Sequence, residues 1–223
     1  PAVRRAVKVA LTPPTGPVFL SLPMDVLDAP AGDTAGRMSG GPDGHPADHP
    51  AGHSVGESAD RFLAPPRVAC GRLPDEAVLE RFAALIVEAE RPIIVAGDAL
   101  AKGGAVPELV RLSEAAALPV YAERVPSLMV FPTDHPHFQG SIGFSGAEIG
   151  RALAATDLVV LAGASRLVPV LPSDEWRLPA GTRLVHLDAD PWEVGKNFPT
   201  ELAIVADIGA TLAAVTSRVE RLK

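Results

Sequence analysis

The sequence predicts an α/β fold: a doubly wound parallel sheet of five or six strands with helices on both faces. Three observations carry this expectation. Aliphatic runs at 93–96, 120–122, 157–163, 184–187 and 203–206 read as strands buried on both sides of a parallel sheet. Segments with apolar residues at helical spacing lie between those runs, as right-handed crossovers require. Turn chemistry then closes the runs at Gly97-Asp98, Gly163, Asp188-Ala189-Asp190-Pro191 and Asp207.

Taken in order, residues 2–11 place Val3, Ala6, Val7, Ala10 and Leu11 on one helical face, with Arg4, Arg5 and Lys8 opposite. Thr12-Pro13-Pro14-Thr15-Gly16 breaks this helix, and residues 17–23 read as a strand bounded by prolines. One helix and one strand cannot enclose a core, so residues 1–27 are expected to be the end of a domain whose sheet lies elsewhere. The chain opens at Pro1 without a methionine, and we read it as a piece of a longer protein. Residues 28–72 are expected to form a flexible Gly/Pro/His-rich linker, too poor in aliphatic side chains to offset the ordering entropy. His45, His49 and His53 there have helical spacing, but Pro46 and Pro50 forbid the helix that would make them a metal-binding stripe.

The third expected segment, 73–223, is the α/β domain. Pro74, Asp75 and Glu76 start a helix with the face Val78, Leu79, Phe82, Leu85 and Ile86, ending before Pro92. A helix at 107–116 joins the first two strands, residues 124–146 read as loop, and a helix at 147–155 leads into 157–163. After a loop and the strand at 184–187, Asp190 suits an N-cap, Pro191 the first helical position and Glu193 a capping box, so a helix is expected before the next strand. Asp207 caps a last helix whose apolar face is Ile208, Leu212, Val215 and Val219.

Composition excludes several classes. Hydrophobic content of 47% excludes a wholly disordered chain. A net charge of −7 argues against a nucleic-acid or anionic-membrane surface. No apolar run reaches membrane-spanning length. Cys70 is the lone cysteine, so no internal disulfide forms and a reducing, cytoplasmic setting fits.

Ligands of open α/β sheets bind at the carboxyl ends of the strands. Gly97, Gly143 and Gly163 fall at those ends or in the loops above them, where a glycine lets a ligand approach or simply makes a tight turn. Asp188, Asp190 and Asp207 share that edge. Capping alone accounts for Asp190 and Asp207, whereas Asp188 starts no helix and is the candidate for a ribose hydroxyl. No G-x-G-x-x-G follows a strand, and no Walker P-loop occurs. Ser145 lacks the last glycine of a G-x-S-x-G turn, His135 and His137 have no cysteine to complete a metal site, and His186 reads as a core histidine.

HLDADPWEVGKN, followed by ELAIVADIGATLAAV, resembles the end of the central domain of thiamine-pyrophosphate-dependent enzymes, the group containing acetolactate synthase, pyruvate oxidase and benzoylformate decarboxylase. GPVFLSLPMDV resembles the end of their pyrimidine-binding domain, which precedes the central one. The resemblance implies a Rossmann-like domain at 73–223 inside a homo-oligomeric three-domain parent, a 2-oxo-acid decarboxylase or acetolactate-synthase-like carboligase. It implies thiamine pyrophosphate and magnesium held by the missing N-terminal pyrimidine-binding and C-terminal diphosphate-binding domains. The family's GDG motif is absent, because Gly97-Asp98 is followed by Ala99, so the resemblance implies no catalytic residue and no metal ligand in this chain and a structural role. It also raises an alternative, a non-catalytic module for FAD or another nucleotide, with Asp188, Ala189, Asp190, Glu193 and Asp207 at positions of expected contact. Against FAD, the family's GMHG reads GFSG at 143–146, and the loop after Gly163 lacks the arginine-and-aspartate pattern. The LPAGTRLVHLDADP phrase is closest to the benzoylformate decarboxylase branch, but Val170 stands where that branch has a substrate-facing histidine.

Overall fold

Five aliphatic runs and one less regular segment pair into a six-stranded sheet in the computed structural model, which describes residues 2–12, 15–21, 71–165, 167–169 and 178–223. The chain divides into two compact units, Pro1–Ala69 and Cys70–Lys223. In the first, α1 (Ala2–Leu11) forms as its periodicity predicts, and Thr12 Oγ1 donates to the Lys8 carbonyl at its end. The strand expected at 17–23 is not there over its described part. Among the described residues, 15–21 have no ladder partner, and Phe19 is almost fully exposed. A strand exists only as one of a pair, and its β-prone composition alone does not supply the other. Most of the expected linker, including its three histidines, lies outside the described residues.

The second unit runs α2 (Glu76–Glu88), β1 (Pro92–Ala96), α3 (Asp98–Lys102), α4 (Val106–Ala116), β2 (Val120–Ala122), β3 (Phe138–Ser141), α5 (Gly146–Leu153), β4 (Leu158–Ala162), β5 (Arg183–Asp188), β6 (Leu202–Val205) and α6 (Ile208–Leu222). The sheet order is β3-β2-β1-β4-β5-β6, with every pair parallel. Ahead of α2, the Arg72 carbonyl accepts the Asp207 N–H at 2.9 Å.

The alternation of side chains along each strand divides the interior in two. Ile94, Ala96, Val160, Ala162, Val185 and Leu187 meet α2, α4 and α6 on one face. Ile93, Val95, Val159, Leu161 and Leu184 meet Ile149 and Leu153 of α5 on the other. The doubly wound architecture is therefore the physical result of strands apolar at successive positions.

Two further differences have local causes. β3 arises within the expected loop at 124–146; as an edge strand containing Gly140 and alternately exposed, it has little hydrophobic signal of its own. Between β5 and β6, the expected helix at Asp190-Pro191 is instead a run of turns at 191–195. The Asp190 carboxylate does accept the Trp192 N–H at 2.9 Å, as a cap would, but Gly195 adopts φ 71° and ends the run before a helix can propagate.

Candidate functional site

The order reversal of the sheet falls between β1 and β4, so their carboxyl ends form the switch point at which open α/β sheets hold ligands. Gly97 and Gly163 occupy those two ends and are packed against each other. A Cβ on Gly97 would lie 2.3 Å from the Gly163 carbonyl oxygen; one on Gly163, at φ 60°, would lie 2.2 Å from the Leu100 nitrogen. The two strand ends are also joined through backbone, since Gly97 N–H donates to Ala162 O at 3.1 Å and Ala99 N–H to Gly163 O at 3.1 Å. These glycines bring α3 down onto the crevice. Gly143 is likewise engaged: its Cβ would meet that of Glu148 at 2.5 Å.

The aspartates stand further along the same edge. Asp188 is 2% exposed, and its Oδ1 accepts the Asp190 N–H at 2.9 Å. Burial raises its carboxyl pKa above the ordinary aspartate value, against the opposing effect of the Asp190 N–H. Asp190 holds Trp192, and Asp207 Oδ1 accepts the Ala210 N–H at 2.7 Å as the cap of α6. All six candidate residues thus share the carboxyl edge, but they are distributed from β3 to β6, a span of roughly 24 Å at the ~4.8 Å spacing of neighbouring strands. Each carboxylate is already bound to local backbone.

The edge has a second set of residues that sequence reasoning missed. Asp98 Oδ1 accepts the N–H groups of Ser127 at 2.7 Å and Leu128 at 3.2 Å, while the Asp98 N–H donates to Glu123 Oε1 at 3.1 Å. Arg124 Nη1 donates to the Val168 carbonyl at 2.5 Å, and Ser141 Oγ to the Arg124 carbonyl at 3.2 Å. These bonds lace the loops after β1, β2 and β4 together and tie them to the last residue of β3. On the ordered surface they make, Val125, Leu128, Met129, Phe144 and Val168 are between 38% and 69% exposed. The only sequence signal for the set was the charged residues that follow β1 and β2, Asp98, Glu123 and Arg124.

Other candidates prove to be parts of the scaffold. Ser145 Oγ accepts the Glu148 N–H at 3.2 Å, and Glu148 Oε2 accepts those of Phe144 and Ser145, a capping box for α5. Ser113, buried in α4, donates its hydroxyl to the Leu118 carbonyl and lies 2.7 Å from His137 Nδ1. His135 Nδ1 accepts the His137 N–H at 3.1 Å, so both histidines pin the loop before β3. Among the described residues, no cluster of three or more His, Cys, Asp or Glu side chains could hold a metal ion. Nor, among them, is any helix long and apolar enough to cross a membrane.

A family model described as thiamine pyrophosphate enzyme, central domain, matches residues 79–215, more than half of the chain. Benzoylformate decarboxylase of Pseudomonas aeruginosa is 30% identical over 222 residues, covering 98% of this chain and 36% of that protein. Glyoxylate carboligase of Escherichia coli is 29% identical over 150 residues, covering 65% of this chain and 24% of that protein. Among solved structures, a thiamine diphosphate-dependent 4-hydroxybenzoylformate decarboxylase of Rhodococcus jostii superposes with a TM-score of 0.72 at 26% identity, covering 97% of this chain and 36% of that one. The chain therefore spans about a third, or less, of the length of these relatives.

Proposed function

The chain belongs to the thiamine pyrophosphate enzyme central-domain family, and from that premise we propose that it is the central domain, with the tail of a pyrimidine-binding domain, of a larger 2-oxo-acid decarboxylase or acetolactate-synthase-like carboligase. The observation that carries this reading is the match of nearly the whole chain to about a third of a benzoylformate decarboxylase. The proposal extends to a cytoplasmic homo-oligomer using thiamine pyrophosphate and magnesium, as the family likeness implies.

The residues of this chain do not fit that cofactor. Gly97-Asp98 is followed by Ala99 rather than glycine, and no described cluster of acidic side chains awaits a magnesium ion. We assign the chain no chemical step. Its part is to pack against the domains that hold the cofactor, and the support for this is physical. Five apolar side chains held half-exposed on one ordered edge are the kind of surface that another domain covers. Leu128 and Met129 would then form one wall of the substrate channel.

The test is a comparison of the full-length parent with this chain, each supplied with thiamine pyrophosphate and magnesium and assayed for carbon dioxide release from 2-oxo acids. Activity in the parent and none in the chain is expected. A parent frame without a glutamate-bearing domain upstream and a GDG motif downstream overturns the reading. FAD or a nucleoside diphosphate raising the melting temperature of the chain would favour the nucleotide-binding alternative.

A further inference from the structure

The turns joining β5 to β6 are fastened to the sheet by a titratable group. His186, in β5, is 5% exposed, and its Nδ1 accepts the Gly195 N–H at 3.2 Å. An accepting Nδ1 has no hydrogen of its own, so the ring hydrogen is on Nε2. That nitrogen is buried beside the Ala164 carbonyl without a well-formed hydrogen bond, at a recess of about 10 Å³ lined by Leu161, Ser165, Leu167, Leu184, Asn197 and Phe198.

We propose that His186 is a pH-operated latch, neutral when it holds residues 189–198 against β5 and releasing them when it is protonated. The imidazolium carries hydrogen on both ring nitrogens, so Nδ1 would confront the Gly195 N–H donor to donor. The charged groups facing the ring come from the turns themselves. Glu193 favours the protonated ring and Lys196 opposes it, and those two side chains are paired with each other. Protonation therefore competes with Lys196 for Glu193. Asp188, on the same strand, holds the Asp190 N–H and is a second titratable anchor of these turns. The residues lining the recess on every side of the ring, from β4 and its loop, β5 and the turns, are uncharged, as is the register partner Ala203 from β6.

Burial lowers the pKa of His186 below 6.5, which also favours the latched form at neutral pH. The released form would gain as pH falls through about 6.5 toward the lowered value, with an opening equilibrium that changes by up to about tenfold per pH unit.

The direct readout is hydrogen exchange at the Gly195 amide by nuclear magnetic resonance, corrected for the intrinsic exchange rate, from pH 8 to pH 5 on the whole chain. Protection is expected to fall below pH 6.5 in the wild type. In His186→Asn, whose side-chain oxygen can accept the same N–H without titrating, it is expected to stay constant. Glu193→Gln, which removes the group that favours the imidazolium in the latched form, should leave the onset near pH 6.5 and make the loss of protection toward pH 5 at least as deep as in the wild type. A pH-independent Gly195 in the wild type overturns the proposal. So does a transition of equal midpoint in His186→Asn, which would assign the pH dependence to Asp188. If His186→Asn does not fold, a loss of protection shallower in Glu193→Gln than in the wild type has the same force.

Discussion

At the residue scale, the carboxyl edge is governed by what cannot be placed there. A methyl group on Gly163 would enter the space of the Leu100 nitrogen and would have to adopt φ 60° as well. Both the overlap with backbone and the left-handed conformation oppose it, so Gly163→Ala is expected to cost about 3 kcal/mol, read as a lowered urea midpoint. Asp188 makes the opposite prediction. Its raised pKa means that its contribution to stability is complete below 3.8, the ordinary aspartate value, and is lost as pH rises through the folded-state value. Asp188→Asn keeps an oxygen for the Asp190 N–H and has no charge to bury. It should match or exceed wild-type stability at pH 8 and lose that advantage in acid; urea titrations at pH 8 and pH 4.5 check the sign. His186 works in the other direction, since its lowered pKa removes stability as pH falls below 6.5.

At the element scale, α6 shows how a single cap and a set of charges fix a terminal helix. Asp207 binds the Ala210 N–H, Thr211 Oγ1 donates to the Asp207 carbonyl, and Arg218 reaches Glu76 and Glu80 of α2. Asp207→Ala is expected to lower stability by about 1 kcal/mol, with Asp207→Ser restoring most of it in the same thermal melts. This cap was legible from the chain because its acceptor and donors are three residues apart. The strands were legible for a similar reason: a run such as Leu-Val-Val-Leu-Ala at β4 is buried at every position. What was not legible depended on partners distant in sequence. β3 is a strand only because β2 lies beside it, and residues 17–21 have no such neighbour among the described residues. The signals at Asp190, Pro191 and Glu193 belong to a helix start, but nucleation needs the residues that follow, and Gly195 does not allow it. The candidate site divides along the same line. That the candidate residues lie on the carboxyl edge was readable from their places after strands. That Asp98 and Arg124 organise it was not, because their partners are Leu128 and Ser127 in one loop and Val168 in another.

At the scale of the whole molecule, two demands on the carboxyl edge can be separated. The chain's own stability depends on the interior, whose two apolar layers lie beneath the sheet faces. Met129, 69% exposed, adds little there. A glutamate at that position should leave the unfolding free energy of the isolated chain within about 0.5 kcal/mol of wild type. In the full-length parent proposed above the demand would be different, because a carboxylate on this edge would have to be buried against the proposed cofactor-bearing domains without a partner charge. If the proposed parent is such an enzyme, Met129→Glu in it is expected to reduce carbon dioxide release from 2-oxo acids or to loosen the assembly seen by size-exclusion chromatography, while the same change is silent in this chain alone. Loss in both contexts would mean that Met129 supports the fold of the domain itself. Full activity in the parent would mean that the apolar edge stays open to solvent, and the cofactor-bearing domains would then have to meet this one through a different face.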